Sequence, residues 1–528
     1  MTVSDIIMLI TLVIAIIAII NEKDRKHILL KYSKFDVFLF GVCFILINYF
    51  TYYSSFKSRD WILKIFYFKN LGLNNPNNWG YVISIVVLFY IFHKIYYSFF
   101  PFRNIDKVVK LYKSLLEKGE LTFLVDLIEK YHSKDIVAII RKKSDGGVYQ
   151  YEWEIDEPNW WQKTKTKLNS WRRKLFPKSK PNRHSYANRI LYNVINDLGF
   201  ITFVSNKNPY FFSPLISHCN KENRQNFPDS LCPNYFKELL NSKNYWLVNE
   251  LKESTNNDYG QPDWFFDNNK ILASILLDLS VADVNSIWQS FGDPAINEIK
   301  EERNLGLNSY LLTPFRNEEL FWESRVFLSI QFFKIMVLEA IKKNYGGCHF
   351  FLHYNAYFID AFLKNLEIVE DNTDRNIHHL IKIITDNTFL WLEYYCQLDR
   401  TTERLDGYEP NGRFHDIIDC IGTIIYYLTG SKQYPDDSKI ELIDKGLRFY
   451  CNMEAKSQTQ EIKTKLEEIL VRPSMAWDDN HPYHGYLALA WEKFDKIPHR
   501  NNITREDYQY FKDLKEKVLM RCGVNIEA

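Results

Sequence analysis

Three apolar runs dominate the first hundred residues. Ile6–Ile20 is unbroken, and Met1–Ile20 holds one charged side chain, Asp5. Val37–Tyr53 carries no charge, and Tyr81–Phe92 extends towards Phe100 past His93 and Lys94. A helix crossing a bilayer needs about 20 mainly apolar residues, with a lower limit near 17. With their flanks the runs predict spans near 3–20, 37–53 and 79–97, the third on condition that Lys94 snorkels to the headgroups. Tyr49, Phe50, Tyr52 and Tyr53 close the second run, and Tyr96, Tyr97, Phe99 and Phe100 the third, as an interfacial aromatic belt would. Three such runs so close together favour membrane helices over buried helices of a soluble core. A signal peptide at Ile6–Ile20 would need a basic start and a small-x-small cleavage site; Met1–Asp5 has no Lys or Arg and no such site follows, so a retained helix is expected.

Beyond residue 100 the pattern changes. Val108–Ile128 has apolar positions at helical spacing, broken by Gly119, which predicts a helical connector over 101–134. Ile136–Ile140 and Val148–Ile155 flank the turn Asp145-Gly146-Gly147 and read as a hairpin. Ile201–Ser205 and Tyr210–Ser213 read as a second strand pair around Asn206–Pro209, with a helix at Ser185–Leu198 between the hairpins. Residues 135–215 are therefore expected to form a small mixed α/β module. From Asp229 onward apolar residues recur at three and four, in Tyr235–Leu251, Ile271–Phe291, Glu318–Ile341, Ile377–Tyr395, Asp416–Leu428, Ile440–Met453 and Tyr508–Met520. Phe327–Ile341 and Phe350–Leu363 are apolar on most sides and contain Lys334, Glu339 and Asp360, which suggests buried central helices. The expected architecture is N-terminal transmembrane α-helices (1–100), the connector, the α/β module, and a large mainly α-helical cytoplasmic domain over 216–528.

Composition and charge refine this. In 528 residues, 46% apolar and 25% charged side chains exclude a disordered or fibrous chain. The net charge of +1 hides an asymmetry: residues 1–204 carry 30 Lys and Arg against 17 Asp and Glu, and residues 205–528 carry 36 against 48. Lys23, Arg25, Lys26, Lys31 and Lys34 follow the first run, and Arg103, Lys107, Lys110 and Lys113 follow the third. The positive-inside rule makes both segments cytoplasmic. Three spans then give a multi-pass protein of the inner membrane with its C-terminal part inside. Lys57, Arg59, Lys64 and Lys69 in the second connection weaken that assignment, and Trp61–Phe68 there could be an interfacial or re-entrant helix. Eight scattered Cys without CxxC spacing fit a reducing compartment and no zinc site of cysteines.

The densest chemistry lies in Trp160–Arg189. Lys163, Lys165, Lys167, Arg172, Arg173, Lys174, Lys178, Lys180 and Arg183 are interleaved with aromatics, and no acid occurs between Glu157 and Asp197. Phosphates take dense positive charge and bases take flat rings, so a nucleotide or oligonucleotide ligand is the functional reading. Contact with anionic lipid or a solvated face is the alternative. Asn48, Thr51 and Ser84 are the notable polar residues inside the spans and are pore-lining candidates or links between helices. His349 and His353 share a helix face without the Glu of a zinc protease; His415, Asp416 and Asp419 resemble a His-Asp metal pair. Asp478, Asp479, His481 and His484 sit together in a turn-rich stretch. Core or capping roles are the expected ones for these. GxxxxGK[ST], GxGxxG and GxSxG are absent, which argues against P-loop, Rossmann and α/β-hydrolase chemistry. No enzyme activity, cofactor or metal is expected.

A membrane anchor, a basic module and a large helical body without catalytic signatures resemble, in organisation, the membrane effectors of bacterial anti-phage defence, with the channel effector of the Hailong system nearest. The resemblance covers the whole layout, rests on no motif and transfers no residue. It implies a homo-oligomer that conducts ions and is gated by a nucleotide-derived ligand. A membrane-tethered metal-dependent hydrolase, or a scaffold recruiting a partner, would share the same layout.

Overall fold

Helix initiation and apolar burial build almost all of the described residues. In the computed structural model the described residues are 21–59, 75–96, 104–141, 183–241, 246–255, 269–345, 349–369, 374–397, 412–453, 457–473, 481–495 and 512–518, with isolated positions at 11, 15, 101 and 520. They are 83% helical with no strand; the one β-type pairing among them is an isolated bridge between Pro314 and Arg375. The expected mixed α/β module is thereby corrected. The chain divides into two units, residues 1–211 with 225–228, and residues 212–224 with 229–528.

The first unit contains α1 (Glu22–Lys31), α2 (Lys34–Thr51), α3 (Pro76–Tyr96), α4 (Ile105–Glu117), α5 (Leu121–Leu127), α6 (Ser133–Arg141), α7 (Arg183–Ile195) and α8 (Leu198–Lys207), with a π-helical turn at Ile128–His132. Lys34–Thr51 and Asn78–Tyr96 are long and apolar enough to cross a membrane. They pack on each other, yet only 17% and 11% of their windows are buried. The expected span near 3–20 and Trp61–Phe68 lie outside the described residues. Gly119 takes φ +70°, a conformation costly for any side chain. The chain can therefore leave α4 and restart as α5 where the sequence pattern breaks.

Two of the three expected strands within the described residues are helices. Ile136–Ile140 belongs to α6, where Ile136, Ile139 and Ile140 form one buried stripe. Ile201–Ser205 belongs to α8, which starts where the Asp197 side chain accepts the Phe200 N–H at 2.9 Å and buries Phe200, Ile201 and Val204. A cap and a spacing of three and four outweigh β-branched composition here. Tyr210–Phe212 is a turn leading to a short helix at Ser213–Ile216. Val148–Ile155 and the turn Asp145–Gly147 lie outside the described residues.

The second unit comprises α9 (Leu231–Asn241), α10 (Trp246–Thr255), α11 (Lys270–Leu276), α12 (Ile287–Asn304), α13 (Arg325–Lys342), α14 (His349–Leu366), α15 (Asn376–Gln397), α16 (Gly412–Gly430), α17 (Asp436–Asn452), α18 (Ser457–Val471) and α19 (Tyr483–Asp495). Helix α13 is its centre: every residue except Arg325, Lys334 and Lys342 is buried, and α10, α12, α14 and α15 pack around it. Ser324 starts it by accepting the N–H groups of Val326 and Phe327. Helices α12 and α14 approach so closely that a Cβ on Gly292 would overlap the Tyr354 ring. The Tyr354 hydroxyl donates to Asp293 at 2.5 Å beside that contact.

Candidate functional site

The polar groups at the ends of the two apolar helices converge on one carboxylate. Ser33 and Asp36 form a capping box at the start of α2: Asp36 Oδ2 accepts from the Ser33 N–H at 2.6 Å and hydroxyl at 2.7 Å, and Ser33 Oγ accepts the Asp36 N–H at 3.3 Å. From α3, Lys94 Nζ donates to Asp36 Oδ2 at 2.9 Å and the Tyr90 hydroxyl donates to Oδ1. Asp36 is fully buried and Lys94 is 8% exposed. Lys94 therefore meets a partner inside the protein in place of the headgroups. The same ammonium donates to the Lys31 carbonyl at 3.1 Å, and Lys31 Nζ returns a bond to the Lys94 carbonyl at 3.0 Å. Asn104 Nδ2 donates to the Leu30 carbonyl at 2.7 Å and Lys107 Nζ to the Tyr32 carbonyl at 3.1 Å. The α1–α2 turn is thus stitched to the end of α3 and the start of α4. Burial, and then the neighbouring Lys94 charge, hold the Lys31 ammonium down at about 8.

A second polar chain fixes α1 to the π turn. The Tyr112 hydroxyl meets His132 Nδ1 at 2.5 Å, and His132 Nε2 meets His27 Nδ1 at 3.2 Å. His27 stacks on Tyr131, with ring centroids 3.9 Å apart. The Tyr131 hydroxyl and Lys130 Nζ donate to Asp24 at 2.5 Å and 3.0 Å. The wide π turn lets consecutive side chains, Tyr131 and His132, both reach His27; such turns recur at functional positions. Both imidazoles are 1% exposed or less. Burial holds each at about 3; the Lys31 charge adds to this for His27, and the His27 and Lys31 charges for His132.

No protein-family model, curated protein or solved structure matches this chain. Its function is therefore argued from its own residues.

The three pore-lining candidates bond back to their own backbones. Asn48 Nδ2 donates to the Phe44 carbonyl, Thr51 Oγ1 to Ile47 and Ser84 Oγ to Gly80, each at 2.8 Å. Ser84 is buried, and Thr51 lies across from Gly80 in the α2–α3 contact. Lys163, Lys165, Lys167, Arg172, Arg173, Lys174, Lys178 and Lys180 lie outside the described residues, and Arg183 opens α7 with its side chain outside them as well. The same holds for the side chains of His349 and His415 and for Asp478 and Asp479. Asp419 meets Lys465 at 3.6 Å. His481 stacks on Tyr426 at 4.2 Å, and its Nδ1 accepts the Tyr483 N–H at the start of α19. The expected cap was Asp479, with the histidines packed near Trp477 and Trp491; here His481 itself caps the helix and packs on Tyr426. No group of three or more His, Cys, Asp and Glu side chains is placed to hold a metal among the described residues.

The sequence reading missed the Asp36 and His132 networks. Their partners are 58 and 105 residues apart. The available signals were the acid immediately before the second apolar run and the lysine inside the third.

Proposed function

We propose that this protein is an oligomeric membrane effector whose apolar helices lie in the inner membrane and whose C-terminal body is cytoplasmic. In this reading it conducts ions when a nucleotide or oligonucleotide ligand binds the body. One observation carries the membrane assignment: the faces of α2 and α3 that point away from each other are apolar and open. Phe38 is 67% exposed, Ile45 67%, Val86 60% and Phe89 72%. A stable soluble protein rarely leaves so much contiguous apolar surface uncovered, and lipid or further copies of the chain would cover it.

Conduction requires copies around an axis, because two or three helices enclose no path for an ion. Gating requires a ligand that binds one state better than another, and the hydrogen-bonded junction at Asp36 and Lys94 supplies rigid elements through which a shift of α4 would reach α2 and α3. The resemblance of apolar N-terminal helices followed by a large helical body to anti-phage effectors favours antiviral defence as the setting. Ion flux from liposomes holding the purified protein, measured with and without mononucleotides and short oligonucleotides, tests the reading. Ligand-dependent flux is the expected result, and absence of flux under every ligand contradicts it.

A further inference from the structure

Helix α2 has two sides, and each carries a contrast with the other. Towards α3 it buries Asp36, Ile47 and Phe50. A Cβ on Gly80 of α3 would sit 3.8 Å from Phe50 and 3.9 Å from the Ile47 carbonyl and the Thr51 hydroxyl, so the glycine lets the two backbones approach. Gly41 lies on the other side of α2, where a Cβ would meet nothing within 4 Å. At 3.6 residues per turn Val37, Gly41, Phe44 and Asn48 fall on one stripe, turned away from α3. Val37, Gly41 and Phe44 are exposed and Asn48 is half-buried.

The polar member of that stripe is only partly satisfied. A carboxamide has two donor hydrogens and an oxygen that accepts. Asn48 Nδ2 gives one hydrogen to the Phe44 carbonyl at 2.8 Å; its other hydrogen and Oδ1 have no partner among the described residues. Asn48 stands about 16 Å along α2 from Val37, within an apolar core about 30 Å thick. Lipid tails offer neither donor nor acceptor there, so a lipid neighbour leaves these atoms unpaired at a cost. The open face of α3 is different: its exposed Val82, Val86 and Phe89 bear no polar group and need nothing beyond lipid.

We infer that the Val37–Gly41–Phe44–Asn48 stripe is a docking surface for α2 of a second copy of this chain, with the two Asn48 carboxamides hydrogen-bonded to each other. Copies inserted in the same orientation bring both Asn48 side chains to the same depth. A carboxamide is donor and acceptor at once, so it complements its own copy. Gly41 removes the bulk that would hold the two backbones apart, as Gly80 does between α2 and α3. Phe38 and Ile45 flank the seam and stay towards lipid. The inference rests on the membrane reading of α2 and α3 and names the contact through which copies of the effector meet.

Disulfide cross-linking of the full chain in liposomes, on a background without the native cysteines, tests it. Val37→Cys, on the stripe, gives a cross-linked dimer that persists as the protein-to-lipid ratio is lowered, and Val86→Cys on the open face of α3 gives none at the low ratio. Asn48→Leu added to Val37→Cys raises the ratio needed for half cross-linking by about tenfold, and Asn48→Gln, which keeps a carboxamide, raises it much less. Gly41→Leu raises it as well, yet leaves thermal unfolding in detergent unchanged, because its side chain enters open space. Capture of one tagged copy by a differently tagged one, with the native cysteines kept, repeats the comparison for Asn48→Leu and Gly41→Leu. Protein that stays in carbonate-washed liposomes but gives no Val37→Cys dimer overturns the interface and leaves the membrane reading standing; release by the wash overturns both. Equal cross-linking at Val37→Cys and Val86→Cys, or association unchanged by both Asn48→Leu and Gly41→Leu, also overturns the inference.

Discussion

The buried pair His27 and His132 makes the first unit sensitive to acid. An unfolded chain protonates each imidazole near the usual 6.5, whereas burial holds both at about 3 in the folded unit. Above pH 6.5 neither state takes up these protons, and the pair costs nothing. As the pH falls below 6.5 the unfolded state gains two protons that the folded state refuses, so stability declines and continues to decline until about pH 3. Each proton contributes about 1.4 kcal/mol per pH unit, so both together give a slope of about 2.7 kcal/mol per unit and a loss of about 4 kcal/mol at pH 5 relative to pH 8. Asp24, Lys31, Lys130, Tyr112 and Tyr131 surround the pair. Of these, Asp24 opposes the shift of His27, and the shift above already includes it. Hydrogen exchange of peptides covering α1 and the π turn, corrected for the intrinsic pH dependence, reads the opening free energy directly. The variant His27→Leu/His132→Leu loses the bond to Tyr112 at every pH and starts from a lower baseline, but its slope between pH 7 and pH 5 should be flat. A wild-type slope of zero in that window, or the same slope in the double variant, would refute the reasoning.

Three further outcomes follow from the same structure. Asp36→Asn or Lys94→Met should each destabilise the first unit by about 3–5 kcal/mol by leaving one buried charge alone, and the double variant should cost less than the two together; thermal unfolding in detergent measures the cycle. Gly292→Ala should lower the urea midpoint of the second unit by an amount corresponding to about 1–3 kcal/mol, because the added methyl meets the Tyr354 ring. Glu250 accepts the N–H groups of Ile271 and Leu272 while buried, and burial outweighs those bonds and raises its carboxyl to about 7. The unfolded chain releases this proton near 4.5 and the folded one holds it to about 7, so stability falls as pH rises across that window, by about 3 kcal/mol in all. Glu250→Gln should remove the fall, which denaturation at pH 5 and pH 8 would show.

The helical body was legible where the periodicity ran long. Val108–Ile128 with its break at Gly119 became α4 and α5, and the apolar stretch Phe327–Ile341 became the buried centre of α13. Short β-branched runs were not legible. Ile136–Ile140 and Ile201–Ser205 have five residues each, too few to separate a strand from one turn and a half of buried helix. What decided them, the Asp197 cap and the neighbours that bury Ile139 or Val204, lies outside the runs themselves. The polar junction was hidden for another reason. Lys94 read alone inside an apolar run suggests snorkelling, and only the fold brings it to Asp36, 58 residues away.

The central claim is that the open faces of α2 and α3 contact lipid. Spin labels at Ile45→Cys and Phe89→Cys, on a background without the native cysteines and reconstituted in liposomes, measure this through collision rates with oxygen and with a water-soluble nickel complex. High oxygen and low nickel accessibility at both sites is the predicted result. Ready access of nickel to either label would contradict the account.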